Sequence, residues 1–119
     1  MDDVLGDEFV EKMRAELRGR VSGKRLRHIE GVARAAEMLA ETYGVDRRRA
    51  RLAGLLHDWD KGYDDEGIRA RVGELGLTGA IDPWVVENMP QVLHGMTAAA
   101  ALARASPAIP ADVIQAIDR

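Results

Sequence analysis

Residues 53–58 read AGLLHD, an apolar helical segment that ends in the adjacent pair His57 and Asp58. Such a polar pair beside a buried helix costs stability unless it binds something. The chain has only two other histidines, His28 and His94, and each falls on the inner stripe of its own predicted helix. We therefore expect the three imidazoles to converge on one buried point, where a metal ion is the simplest ligand.

The composition favours a folded domain that uses histidine and carboxylate chemistry. A chain of 119 residues can form one hydrophobic core without disulfides or a structural metal, so residues 1–119 are interpreted as a single domain. The absence of cysteine excludes thiolate metal sites and cysteine nucleophiles. The net charge of −3 argues against a nucleic-acid partner. Residues 1–4 do not resemble a signal peptide and no stretch suits a membrane helix, so we expect a cytoplasmic protein with no membrane partner.

The periodicity of apolar residues predicts helices along the whole chain. Apolar side chains recur at three- and four-residue steps, and no segment alternates as a strand would. We therefore predict an all-α fold, a compact bundle of about six or seven helices. The predicted helices cover residues 9–17, Ser22 to Gly44, Asp46 to about Trp59, 68–75, 84–88, Pro90 to Ala105, and a last one from Pro110.

Three ordered motifs make the chemical interpretation specific. They are Arg25-x-x-His28, the LLHD-x-x-K pattern of residues 55–61, and LHG at residues 93–95. Their order and spacing resemble the motifs of the HD-domain metal-dependent phosphohydrolase superfamily. Within it, the GVA stretch at residues 31–33, the sequence LLHDWDK at residues 55–61 and the LHG element at residues 93–95 resemble the YqeK family of symmetrical diadenosine-tetraphosphate hydrolases, the bis(5'-nucleosyl)-tetraphosphatases.

The resemblance implies an enzyme that cleaves diadenosine tetraphosphate symmetrically into two ADP, a small nucleotide substrate. It implies a dinuclear iron centre with His28, His57, Asp58 and His94 as ligands; manganese or another divalent transition metal would also suit this donor set. Asp58 would serve in catalysis as well, since the reaction uses a metal-activated water and needs no protein nucleophile.

Two cations are candidates to bind the substrate phosphates. Lys61 is the stronger candidate, in both catalysis and phosphate binding, because its spacing from His57 belongs to the motif. Arg25 lies one helical turn before His28 and would face the same way. Asp60 is a weaker candidate, to orient water or a lysine.

The C-terminus departs from the family pattern. Family members continue beyond the helix matched by residues 113–117 with a His-Thr element and a later Ala-Asp element that supply further ligands. This chain ends at Arg119, and Asp118 matches neither element. We therefore expect a sequence that is truncated relative to the family, or a protein with an incomplete metal site.

Alternatives remain open at this point. If the chain is not a symmetrical diadenosine-tetraphosphate hydrolase, it is another HD-type nucleotide phosphohydrolase, or a non-catalytic nucleotide-sensing or interaction module. The aromatic residues Trp59, Tyr63 and Trp84 either stack on a base or pack, and Trp84 is expected in the core. A homodimer through exposed Val10 or Leu77 is also left open.

Overall fold

The computed structural model describes residues 3–119, and within that range the protein is built from helices with no strand. This confirms the predicted all-α fold of six or seven helices. The helices are α1 (Asp7–Leu17), α2 (Gly23–Tyr43), α3 (Arg47–Leu56), α4 (Asp65–Glu74), α5 (Pro83–Asn88), a 3-10 helix (Pro90–Leu93), α6 (His94–Ala105) and α7 (Ala111–Asp118).

Capping residues fix the ends of the two helices that matter most for the site. The Ser22 side chain accepts a hydrogen bond from the backbone N–H of Arg25 at the start of α2. Gly44 ends that helix in the left-handed conformation, with φ of 71°. The Asp46 carboxylate accepts from the backbone N–H groups of Arg48 and Arg49 and starts α3. All three boundaries agree with the sequence prediction.

Helix α3 ends earlier than predicted. It stops at Leu56 rather than near Trp59, and residues 57–62 form a turn that carries the His-Asp pair, called here the 57–62 turn. The turn is stabilised by short-range backbone bonds, such as the N–H of Trp59 donating to the Leu56 carbonyl. His57 is therefore the C-cap of α3, still in the right-handed helical conformation, and Asp58 lies in the turn that follows.

Helices α2 and α3 pack closely because Gly54 has no side chain. A Cβ at Gly54 would lie 2.9 Å from the Ala33 Cα, so the two backbones nearly touch there. The surrounding core draws on α1, α2, α3, α6 and α7. This contact brings the end of α3 beside the first turns of α2.

A second, smaller core supports the segment that leads into His94. Ile68 and Val72 of α4 pack with Ile81 and Leu93, and this cluster holds the 3-10 helix in place. The predicted continuous helix from Pro90 is therefore interrupted, and α6 begins only at His94.

Tertiary packing reverses two of the burial predictions. Trp84 was expected in the core but is 60% exposed, while Val10 was expected on the surface but is buried. Helix amphipathicity alone does not decide which face finds a partner. None of the described helices is both long and apolar enough to cross a membrane.

Candidate metal centre

Three of the predicted ligands meet where α2 runs beside the end of α3. His28, His57 and Asp58 each offer a ligand atom, and these atoms lie within 4.8 Å of one another. The two imidazole centroids are 6.5 Å apart. His28 is exposed and the other two are half-buried, so the cluster opens to solvent instead of forming the buried point expected from the sequence. The reason is that His28 lies in the first turns of α2, at the edge of the helix interface.

The His57 ring is oriented as a metal ligand would be. Its Nδ1 lies 2.6 Å from the Gly54 carbonyl oxygen, which can only accept, so Nδ1 carries the proton. In the neutral ring the Nε2 lone pair then faces Asp58 Oδ1 at 3.3 Å. Two acceptors facing each other repel unless a cation or a proton lies between them. This pairing of a carbonyl-oriented imidazole with a carboxylate fits a divalent transition metal.

Asp58 and Arg25 connect this cluster to a positive charge. The Asp58 side chain is 14% exposed, and its Oδ2 lies 3.4 Å from Arg25 Nη1. The Arg25 side chain is 40% exposed, so its remaining N–H groups can reach a solvent-borne anion. The structure thus places Arg25 next to the cluster.

Lys61 is exposed within the 57–62 turn. Its backbone N–H donates to the Asp58 carbonyl at 2.9 Å, which ties the backbone of Lys61 to that of Asp58. Within residues 3–119, its ammonium group forms no ion pair. The exposed Lys61 side chain is therefore available to a phosphate.

His94 lies outside the cluster of three. Its Nδ1 is 2.6 Å from the Gln91 carbonyl oxygen, as His57 Nδ1 is from that of Gly54. Its Nε2 faces the Tyr63 carbonyl oxygen at 3.3 Å. A neutral ring can donate to only one carbonyl, and the Gln91 contact is the shorter. The structure therefore brings together three of the four predicted ligands, with His94 held next to the residue that follows the 57–62 turn.

Asp60 is the polar residue that sequence reasoning understood least. It is fully buried, and its carboxylate accepts hydrogen bonds from Arg20 and Arg71, not from a lysine. Burial alone would lower the pKa of Arg71, but the hydrogen bond and charge of Asp60 outweigh it and raise that pKa. The partners lie 40 and 11 residues away in sequence, so only the need to pair a buried charge signals them.

The aromatic residues near the turn are used in packing. Trp59 is buried, and the Arg20 guanidinium lies 4.5 Å above its ring. Tyr63 is half-buried, with Arg20 at 5.6 Å and Arg71 at 4.9 Å from its ring centroid. These contacts favour the packing alternative for both rings.

Comparison with known proteins adds a family match. Residues 25–119 match the family model described as the HD domain. The matched stretch contains all four predicted ligands, while α1 precedes it. No match was found among curated proteins.

Proposed function

The chain belongs to the HD domain family, and from this premise we propose that it hydrolyses dinucleoside polyphosphates, cleaving diadenosine tetraphosphate symmetrically into two ADP. HD domains are in general metal-dependent phosphohydrolases. The observation that carries the proposal is the cluster of His28, His57 and Asp58 within ligand distance, in the stretch that matches the family. The choice of substrate rests on the resemblance of residues 55–61 and 93–95 to the YqeK family.

The proposed metal site uses imidazole nitrogens and a carboxylate oxygen. His28, His57 and Asp58 would hold a divalent metal, with iron expected and manganese the next candidate. A metal held there supplies Lewis acidity toward water and toward a phosphoryl oxygen. The carbonyl of Gly54 keeps His57 in the tautomer that presents Nε2. His94 is proposed as a further ligand, presented from the start of α6.

The remaining roles fall to charged groups around the cluster. Lys61 and Arg25 would bind the polyphosphate and offset its negative charge, which builds up further as an anhydride bond breaks. Asp58 holds Arg25 through its second oxygen, so one carboxylate would orient both the metal and a phosphate-binding cation. No side-chain nucleophile is required, since water attacks phosphorus.

Product analysis tests this proposal directly. The protein is incubated with diadenosine tetraphosphate and Fe(II) or Mn(II), and products are separated by anion exchange. Two equivalents of ADP are expected, and Asp58→Asn should abolish their formation. The exposed Asp65→Asn supplies a matched control with the same charge change. Formation of ATP and AMP would refute symmetrical cleavage.

A second candidate function is a non-catalytic nucleotide-sensing or interaction module. The position of His94 outside the cluster favours it, because three donors close together suffice to bind a metal but leave the proposed centre smaller than the family's. Calorimetric binding of diadenosine tetraphosphate without turnover would support this candidate. Turnover of deoxynucleotides, cyclic nucleotides or alarmones in place of diadenosine tetraphosphate would instead identify another HD-type phosphohydrolase.

A further inference from the structure

We propose that Arg20 and Asp60 are positioning residues that hold the 57–62 turn in the geometry that faces His57 and Asp58 toward His28. The segment after α1 would then belong to the metal site, although it precedes the family match at residues 25–119. The inference rests on the proposed function for the role of His57 and Asp58 as ligands.

Asp60 anchors the turn from inside the protein. Arg20 Nη2 donates to Asp60 Oδ1 at 2.9 Å, and Arg71 donates to both carboxylate oxygens, at 3.0 Å from Nε and 2.9 Å from Nη2. Asp60 is fully buried, whereas the Arg20 and Arg71 side chains are 25% and 15% exposed. A buried carboxylate with two arginine partners has few alternative positions, because moving away from either arginine would leave a buried charge without its partner.

Arg20 contacts the turn at three places. Its Nε donates to the Trp59 carbonyl at 3.1 Å, and its guanidinium covers the Trp59 ring. Its Nη2 binds Asp60, as above. Its own carbonyl lies so close to Gly62 that a Cβ at that position would clash with it. One residue outside the family match therefore contacts Trp59, Asp60 and Gly62.

These contacts limit how far the backbone of His57 and Asp58 can move relative to α2. The backbone bonds of the turn span only three residues, as from Lys61 to Asp58, and they tie it to the end of α3 but not to α2. Asp58 directly precedes the anchored segment and Lys61 lies within it, whereas His28 belongs to α2. A rotation of the turn would move Asp58 away from His28, and the Arg20–Asp60 contacts oppose that rotation.

Metal affinity tests the proposal on the full chain. The dissociation constant for Mn(II) is measured by electron paramagnetic resonance for wild type, Arg20→Gln and Arg20→Lys. Loss of residues that orient ligands costs about 10–100-fold in metal affinity, so we expect at least about a tenfold weaker constant for Arg20→Gln. Arg20→Lys keeps the charge but loses the planar set of guanidinium donors, so its Mn(II) dissociation constant should lie between those of wild type and Arg20→Gln. An unchanged constant in Arg20→Gln would overturn the proposal.

The control is Arg14→Gln, on α1 itself. Arg14 pairs with Glu11 and Glu30 at 3.0 and 3.1 Å, so its loss removes the same charge and similar ion pairs without affecting the turn. Its Mn(II) constant should stay within about twofold of wild type. An equal weakening in both variants would assign the effect to general charge and overturn the positioning role.

Hydrogen exchange on the metal-free protein separates this inference from the proposed function. In Arg20→Gln the backbone amides of Lys61 and Tyr63 should exchange at least about tenfold faster than in wild type, while the amide of Leu55 in α3 should keep its protection. A uniform increase would mean global destabilisation and would overturn the positioning role. Failure of wild type to bind Mn(II) or Fe(II) would refute the proposed function, and the exchange comparison would still decide whether Arg20 holds the turn.

Discussion

Substitution of Gly54 by alanine is predicted to destabilise the protein through the α2–α3 interface. The added Cβ would lie 2.9 Å from Ala33 Cα and 3.3 Å from the Val32 carbonyl oxygen. Both neighbours are backbone atoms that cannot rotate away, so the helices must separate by about 0.5 Å to restore ordinary contact. The strain acts at the contact that places the end of α3 beside His28.

The expected magnitude is the difference between two opposing effects. Overpacking costs about 1–3 kcal/mol, whereas replacing glycine by alanine within a helix contributes about 1 kcal/mol in the opposite direction. The net loss for Gly54→Ala is about 1 kcal/mol, which lowers Tm by about 4 °C for a chain of this length.

Gly31→Ala is the matched control, because Gly31 lies within α2 and a Cβ there meets nothing within 4 Å. This variant keeps the helix-propensity gain without the clash and should raise Tm by about 4 °C. Differential scanning calorimetry of both variants measures the packing cost as the gap between them, about 8 °C. If Gly54→Ala were as stabilising as Gly31→Ala, the close approach of α2 and α3 would be refuted.

Three further predictions follow from single groups. Asp58→Asn should weaken Mn(II) binding by at least about 100-fold, because removing a ligand costs more than the roughly 10–100-fold typical of removing a residue that hydrogen-bonds to a ligand. An unchanged Mn(II) dissociation constant would show that Asp58 is not a ligand. The pKa of Asp46 is lowered, chiefly because its carboxylate accepts a hydrogen bond from the Arg49 backbone N–H, while burial opposes the shift. The ionised carboxylate therefore stabilises the fold above about pH 4, and this contribution is lost as pH falls through the folded pKa. Asp46→Asn should therefore lose less Tm than wild type between about pH 5 and pH 2.5, and an equal loss would count against this cap. Ser22→Ala should lower the free energy of unfolding by about 1 kcal/mol in urea, and no change would contradict its capping role.

The sequence predicted what local interactions decide. Ser22, Gly44 and Asp46 act within a few residues of themselves, so the ends of α2 and the start of α3 could be predicted from residue type alone. The end of α3 could not, because the turn after Leu56 is anchored by Arg20, which lies about 40 residues earlier. Trp84 illustrates the same limit, since amphipathic spacing marks an apolar side chain but not the surface that would cover it.

The site was predictable to a similar depth. Adjacency of His57 and Asp58 in the sequence, together with antiparallel packing of α2 on α3, brings His28 to them. His94 depends on the second small core and on the 3-10 helix before α6, and neither feature has a periodic signal. Its imidazole is nevertheless oriented by a carbonyl three residues earlier, as that of His57 is, so a local contact fixes the ring tautomer at both positions.

Helix α3 carries ion pairs in its N-terminal half and leads into the candidate metal site at its C-terminal end. At its N-terminal half, Arg48, Arg49 and Arg51 pair with Asp3, Asp112 and Asp7, which ties the start of the chain and α7 to α3. These arginines are thus engaged in ion pairs within the fold. At its C-terminal end the helix is followed by the 57–62 turn, which carries the candidate ligands His57 and Asp58. Because the Asp58 carboxylate is partly exposed and its ion-pair partner Arg25 is 40% exposed, replacing Asp58 should alter metal binding with little change in unfolding.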